Sequence, residues 1–309
     1  MQIEKEIAKV KPQKEMLLTI GVFDGVHLGH QRLLTHLRDE ARQKNYLSGV
    51  VTFSSHPEVV LSKENGLLWL NDLETRVSLL LATGIDVVVT LPFSAELAHL
   101  SAREFIQLLK DHLKMRGLIV GPDFALGRGR EGDAETLGVM GKEMGFTVEA
   151  IPAMVLDGEV VSSSAIRQSL AQGDVEKVGK LIGRLFSISG HIVSGDGRGR
   201  TLGFPTANLE LKADQALPAD GVYATIAHVG HHLMPSVTNI GVRPTFEGSK
   251  HLVETYIFDY DGDLLGQSFT IDLVDKIRDE KRFDTVEKLK AQISKDVEQA
   301  RRILNQRME

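Results

Sequence analysis

"GVFDGVHLGH", residues 21–30, packs Gly21, Gly25 and Gly29, Asp24 and two histidines, His27 and His30, into ten positions. On its N-terminal side "LLTIGVF" (17–23) is a short apolar run of strand type, and on its C-terminal side residues from His30 to Gln43 have helical spacing. The decapeptide therefore reads as a strand-to-helix turn. In an open α/β sheet, ligands bind at the carboxyl ends of such strands. A helix N-terminus there offers unpaired amides and the positive end of a dipole, which favour phosphate. Glycines let backbone approach a ligand closely, and imidazoles can bond a polyphosphate and stabilise charge on a leaving group. Two other readings compete on this stretch alone. The histidines could cap a turn, or they could bind zinc, although their spacing is three rather than four and no third ligand stands nearby.

Outward from this turn, apolar runs alternate with helical patterns. "LSGVVTF" (47–53), "IDVVVTL" (85–91), "LIVG" (118–121) and "FTVEAIP" (146–152) read as strands. "NDLE" (71–74) and "SARE" (101–104) read as capping boxes opening helices, the first stopping at Gly84, and "DAETLGVMGKEMG" (133–145) as a third helix. Strands separated by helices predict a doubly wound, Rossmann-like parallel sheet, an α/β fold. Two short helical patterns, 165–171 and 175–182, read as a connector. Beyond "GRLF" the pattern changes to six strand-like runs, from "SISGHIVS" (187–194) to "QSFTIDLV" (267–274), separated by turn clusters such as "GDGRG" and "PADG". These predict a small antiparallel β-barrel or a sandwich. After it comes an amphipathic helix over about 284–305, with Val286, Leu289, Ile293 and Val297 as its apolar stripe. The expected domains are 1–183 and 184–309.

Composition narrows the function classes. The 309 residues are 42% hydrophobic with a formal net charge of −6, which disfavours a broad nucleic-acid surface; the arginine-rich loops also lack interleaved aromatics. There is no cysteine, which excludes disulfides and thiolate metal sites and fits a cytoplasmic location. "MQIEKEIAKVKPQKEM" has no apolar core and is not expected to be a signal peptide, and no apolar run approaches a membrane span.

Three more stretches fall at strand ends on the edge that carries the histidines. "TFSSHPEVVL" (52–61) places His56, "VGPDFALGRGREGD" (120–133) places Asp123 and Arg128, and "VSSSAIRQSL" (161–170) places Ser162, Ser163 and Ser164 at a helix start with Arg167 one turn in. Hydroxyls and amides with an arginine suit a second phosphate. Gly127, Gly129 and Gly132 match G-x-G-x-x-G literally, but "PDFAL" separates them from the strand and arginines fill the gaps, so a dinucleotide fingerprint is rejected. In the second half, "GDGRGRTLGFPTANL" (195–209) reads as a loop over phosphates, with Gly195, Gly197, Arg198 and Gly203 in its flexible part. Pro205 stiffens a segment presenting Thr206 and Asn208, hard oxygen donors suited to Mg²⁺ carrying ATP. Glu254, in an otherwise apolar and aromatic run, is either a base for an attacking hydroxyl or an edge-strand surface carboxylate.

The His27-x-Gly29-His30 pattern resembles the nucleotidyltransferase superfamily. With "VGPDFALGRGREGD", "VSSSAIR", "GDGRGRTLGFPTANL" and "TNIGVRPTF" (238–246) in the same order, the chain resembles the bacterial bifunctional riboflavin kinase/FAD synthetases from about Leu17 onward. That resemblance implies an N-terminal FMN adenylyltransferase and a C-terminal riboflavin kinase, with ATP, riboflavin, FMN and FAD as small-molecule partners. It implies that His27 and His30 bind ATP phosphates, that Phe23, Asp24, Gly25 and Asp123 lie at the nucleotide and flavin site, and that Ser162 to Ser164 with Arg167 form the second phosphate motif. In the kinase it implies Thr206 and Asn208 as Mg²⁺ and ATP ligands, Glu254 as catalytic base and Arg278, in "KIRDEKRF", on the flavin side. The chain departs from the family pattern at Ser55, where a proline is usual, and at Ser164, where a threonine is usual. Two rivals remain: a chain with one live module, and a flavin sensor without turnover. Separate assays of FMN and FAD formation discriminate them. Oligomeric state is not legible.

Overall fold

A computed structural model of the chain describes residues 2–57, 68–212, 214–245 and 248–308, without the side chains of 243–250 and 308. The part of "TFSSHPEVVL" beyond Pro57, and Phe246 of "TNIGVRPTF", lie outside the described residues. Two compact units divide between Ser163 and Ser164, so the two helices read as a connector count with the second unit.

The first unit is a five-stranded parallel sheet. Strands β1 (Met16–Ile20), β2 (Leu47–Phe53), β3 (Val87–Leu91), β4 (Met115–Val120) and β5 (Thr147–Ala150) lie in the order β3-β2-β1-β4-β5. Alternate residues of β1 serve opposite faces. Leu17 packs with Leu33, Leu34 and Leu37 of one crossover helix, whereas Met16, Leu18 and Ile20 pack with Phe105, Ile106 and Leu109 of another. The order reverses between β1 and β4, the kind of switch point at which open α/β sheets bind ligands.

Helix α1 (Gln2–Ala8) precedes the sheet. It is absent from the sequence reading because its charged residues mask Ile3 and Ile7, which are fully buried one turn apart. Helix α2 (Leu28–Gln43) starts two residues earlier than its apolar spacing indicates, with His27 as N-cap. The capping box read at "NDLE" does not form; a single side-chain cap, one residue later, takes its place. Helix α3 (Leu73–Ala82) is capped by Asp72, which accepts from Thr75 N at 2.8 Å, while the backbone N–H of Asn71 donates to Asp24. At "SARE" the box forms as read, with Ser101 and Glu104 exchanging bonds at the start of α4 (Ala102–Leu113). Helix α5 (Ala134–Met144) leads to β5.

The second unit begins inside α6 (Ser163–Gln172), whose first residue belongs to the first unit, and α7 (Val175–Ile182) then leads into a closed barrel. Its strands are β6 (Phe186–Val193), β7 (Ala207–Glu210), β8 (Gly221–Val229), β9 (His232–Thr245), β10 (Gly248–Ile257) and β11 (Ser268–Arg278), in the order β6-β7-β10-β9-β8-β11. Register sets which side chains point inward. Thr225, Ser236, Thr238 and Thr255 are all fully buried and form a hydroxyl chain of 2.7–2.9 Å bonds across β8, β9 and β10. Because strand side chains alternate, their neighbours Asn239 and Glu254 face the outside of the barrel. There α8 (Val286–Met308) packs Ala300 and Leu304 on Val222, Ala224 and Val237. Val286, read as the first of the apolar stripe, is instead 60% exposed at the helix start.

The hydroxyl chain should be costly to interrupt. Thr238→Val keeps shape but strands the Thr255 hydroxyl, and a loss of about 1–3 kcal/mol is expected, measurable as a lower urea midpoint; an unchanged midpoint would show that the chain carries no stability.

Candidate active sites

The decapeptide runs from the end of β1 into α2 through a strained turn. Phe23 and Val26 take positive φ angles of 55° and 38°, conformations that side-chain-bearing residues rarely adopt, and Gly25 takes 81°. Asp24 supports the strain. Only 2% exposed, its carboxylate accepts from Leu70 N at 3.1 Å and Asn71 N at 3.2 Å, and its carbonyl accepts from the Ser163 hydroxyl at 2.9 Å. This carboxylate thus clamps loops together, a role that its place in the motif does not reveal. Thr52 at the end of β2 donates to Val22 O at 3.0 Å.

The two histidines stack, ring centroids 3.6 Å apart and 18° from parallel, and Phe23 meets His30 edge-on at 5.0 Å. His27 Nδ1 accepts from His30 N at 3.3 Å, so in the neutral ring the proton sits on Nε2, a donor for an anion. Stacked imidazoles aim their in-plane lone pairs side by side rather than at one point, which argues against the zinc reading. A Cβ on Gly29 would come within 3.1 Å of the His27 ring, so the glycine makes room for it. His30 Nδ1 is buried with no hydrogen-bond partner among the described residues. Burial, and secondarily the neighbouring His27, push the His30 imidazolium well below its usual 6.5.

His56 meets Trp69 edge-on at 5.2 Å, and Trp69 in turn lies 4.3 Å from the buried Arg76 guanidinium, which donates to Phe53 O at 2.7 Å. Neither Trp69 nor Arg76 belongs to a motif; only a lone arginine in an apolar helical stretch hints at them. Asp123 and Arg128 stand exposed in the loop after β4, with Arg130 donating to the Asp123 carbonyl at 2.9 Å. The glycines of "GRGREG" form a hairpin tip against Ala102 at the start of α4 rather than a strand-to-helix turn, in line with rejecting the dinucleotide fingerprint. Ser162 and Ser163 are half-buried, while Ser164 is exposed and Arg167 half-buried on α6.

On the barrel, Asn208, Glu254 and Asn239 lie side by side across β7, β10 and β9. Because β10 is hydrogen-bonded on both sides, the edge-strand reading of Glu254 falls. Asn239 completes the row, and it escapes the sequence reading because cross-strand register is not written in the residues. The row faces a cavity of about 1000 Å³ that also reaches Thr206, Arg278 and Phe283. The glycine-rich loop packs directly on it. A Cβ on Gly195 would lie 2.2 Å from the Asn208 amide nitrogen, and one on Gly199 3.0 Å from Thr206 Oγ1. The loop contains one helical turn, Arg198–Leu202, between Gly197 and Gly203 at φ of 70° and 87°. Pro205 is exposed at the loop's exit. Among the described residues no three His, Cys, Asp or Glu side chains cluster to hold a metal alone. Thr206, Asn208 and Glu254 nonetheless form a hard oxygen set under a glycine cradle, which fits a Mg²⁺ carried largely by phosphates.

A family model for FAD synthetase matches residues 9–165, and one for riboflavin kinase matches residues 182–304. The bifunctional riboflavin kinase/FMN adenylyltransferase of Escherichia coli (strain K12) is 40% identical over 287 residues, 92% of this chain and 91% of that one. The chain belongs to the bifunctional riboflavin kinase/FMN adenylyltransferase family. Both activities of that family have their domain here. Family members from Haemophilus influenzae and Pseudomonas fluorescens are 38% and 39% identical, covering 93% and 97% of this chain and 94% and 97% of their own. A crystal structure titled as a macrolide-efflux protein from Streptococcus pneumoniae superposes with a TM-score of 0.89 at 30% identity, covering 97% of both chains. Among the described residues no helix is long and apolar enough to cross a membrane.

The depressed His30 pKa has a thermodynamic consequence. Below pH 6.5 the unfolded chain takes up a proton on this ring that the folded chain refuses, so stability should fall as pH drops from 6.5 towards the lower folded value. His30→Asn removes this contribution. Urea midpoints between pH 7.5 and 5 should therefore fall less steeply in the variant than in the parent; equal slopes would mean His30 titrates normally.

Proposed function

We propose that this chain makes FAD from riboflavin in two ATP-dependent steps, residues 184–309 forming FMN and residues 1–183 converting it to FAD. The observation that carries this reading is the pairing of two unlike phosphate sites on one chain. One is a stacked histidine pair at the switch point of a parallel sheet, the other a row of one carboxylate between two asparagines, roofed by a glycine loop.

In the kinase step the ribityl 5′-hydroxyl of riboflavin attacks the γ-phosphate of ATP. Glu254 takes the hydroxyl proton, the bond from the γ-phosphorus to the bridging oxygen breaks, and FMN and ADP form. Thr206 and Asn208 would hold Mg²⁺, which when bound neutralises phosphate charge. Gly195, Gly197 and the Arg198 turn cover the phosphates, and Gly203 and Pro205 set the exit of that cover. In the adenylyltransferase step an FMN phosphate oxygen attacks the α-phosphate of a second ATP and pyrophosphate leaves. The nucleophile is already anionic, so no strong base is needed; alignment and charge stabilisation do the work. His27 donates from Nε2 and His30 lies beneath it. Ser162, Ser163, Ser164 and Arg167 receive the leaving phosphates, and His56, Asp123 and Arg128 border the nucleotide and flavin. Asp24, Gly25, Gly29 and Phe23 set the shape of the turn. A cytoplasmic location accords with this reading, since a chain without cysteine suits a reducing compartment where ATP is abundant.

The division of labour is tested by two variants. His30→Ala should lower FAD formation from FMN by about 100-fold or more and leave FMN formation from riboflavin intact. Glu254→Ala should do the reverse. A folded variant that loses both activities contradicts the assignment.

A further inference from the structure

Arg278 ends β11 at the wall of the barrel cavity, in the same lining as Glu254 and Asn208. Its guanidinium is held from the C-terminal helix. Nε donates to both Asp296 carboxylate oxygens at 3.0 Å, Nη2 donates to Oδ2 at 2.8 Å, and Nη1 donates to the Asp279 carbonyl at 2.9 Å. Gln292, one turn before Asp296 on α8, donates to Oδ1 at 2.8 Å, and the Phe283 ring centroid lies 5.8 Å from the guanidinium carbon. The Asp296 side chain is 5% exposed and that of Arg278 15%. A guanidinium carries five N–H donors in a rigid plane. Three are committed to Asp296 and Asp279, and fixing those three fixes the direction of the two left over.

A buried ion pair is seldom the most stabilising way to fill its volume; well-packed apolar residues often do as well or better. This pair stands in the wall of a cavity rather than in the core beside it, where α8 uses Ala300 and Leu304. Its placement suits orientation rather than cohesion.

We propose that Asp296 is a positioning residue of the kinase site, holding the Arg278 plane so that its two uncommitted N–H donors meet the polar edge of the riboflavin ring system. The C-terminal helix is then part of the substrate pocket and not only a cover for the barrel. This rests on the reading that the cavity takes riboflavin.

The test uses the full chain and steady-state kinase assays with riboflavin and MgATP varied separately. Asp296→Asn should raise the riboflavin KM tenfold or more and the ATP KM less than twofold. Its FMN-to-FAD rate should stay unchanged, and a urea midpoint and far-UV circular dichroism like the parent's report that the barrel is folded. Arg278→Ala should raise the riboflavin KM similarly, and the double variant should be no worse than Arg278→Ala alone. Gln292→Ala, which leaves the ion pair in place, should give a smaller rise of about threefold, and it decides the question if Asp296→Asn does not fold. A raised KM in Arg278→Ala, but not in folded Asp296→Asn or in Gln292→Ala, overturns the positioning role alone, as do fully additive effects in the double variant. An unchanged riboflavin KM in Arg278→Ala overturns the flavin reading of this wall, and the positioning role with it.

Discussion

The Asp24 carboxylate, 2% exposed, takes the amides of Leu70 and Asn71, while the Asp24 carbonyl takes the Ser163 hydroxyl. A buried carboxylate is tolerable only where donors such as these satisfy it. The first unit's site depends on this knot, because it joins the loop after β1, the segment before α3 and Ser163, the last residue of that unit. It also holds Phe23 and Val26 at positive φ, and this strained turn sets His27 as N-cap with His30 stacked on it. A histidine pair needs no metal to be held this way. It needs a turn too constrained to relax.

The barrel meets the same problem by parity. Four hydroxyls bonded to one another occupy its interior, and each strand that sends one inward sends its next residue outward. Glu254, Asn208 and Asn239 thereby share one outer face, where the glycine loop and α8 build a cavity over them. The row is a consequence of register, and the close approach of Gly195 to Asn208 a consequence of a missing Cβ.

Much of this is legible in the residues. Apolar runs of strand length give away all five parallel strands and the six of the barrel, because buried strands cannot hide their composition. "SARE" announces its helix through local bonds alone. Features that depend on distant partners are not legible. Asp24 looks like a ligand because acids in glycine-rich turns often are, and its burial is decided by Leu70 and Asn71, far along the chain. Helix α1 hides behind its charges, and at "NDLE" the cap is Asp72 rather than Asn71, whose backbone N–H is drawn to the distant Asp24. Asp296 reads as one more charge on an amphipathic helix until Arg278 is seen against it.

The central claim is that one chain holds two complete and separate sites, with FMN passing between them. Mixing folded His30→Ala and Glu254→Ala proteins, then supplying only riboflavin and MgATP, tests it directly by chromatography of the flavins. Neither protein alone should make FAD, whereas the mixture should accumulate FMN first and FAD after it, with one pyrophosphate released per FAD. A mixture that stops at FMN, although the Glu254→Ala protein still converts added FMN, would contradict the account.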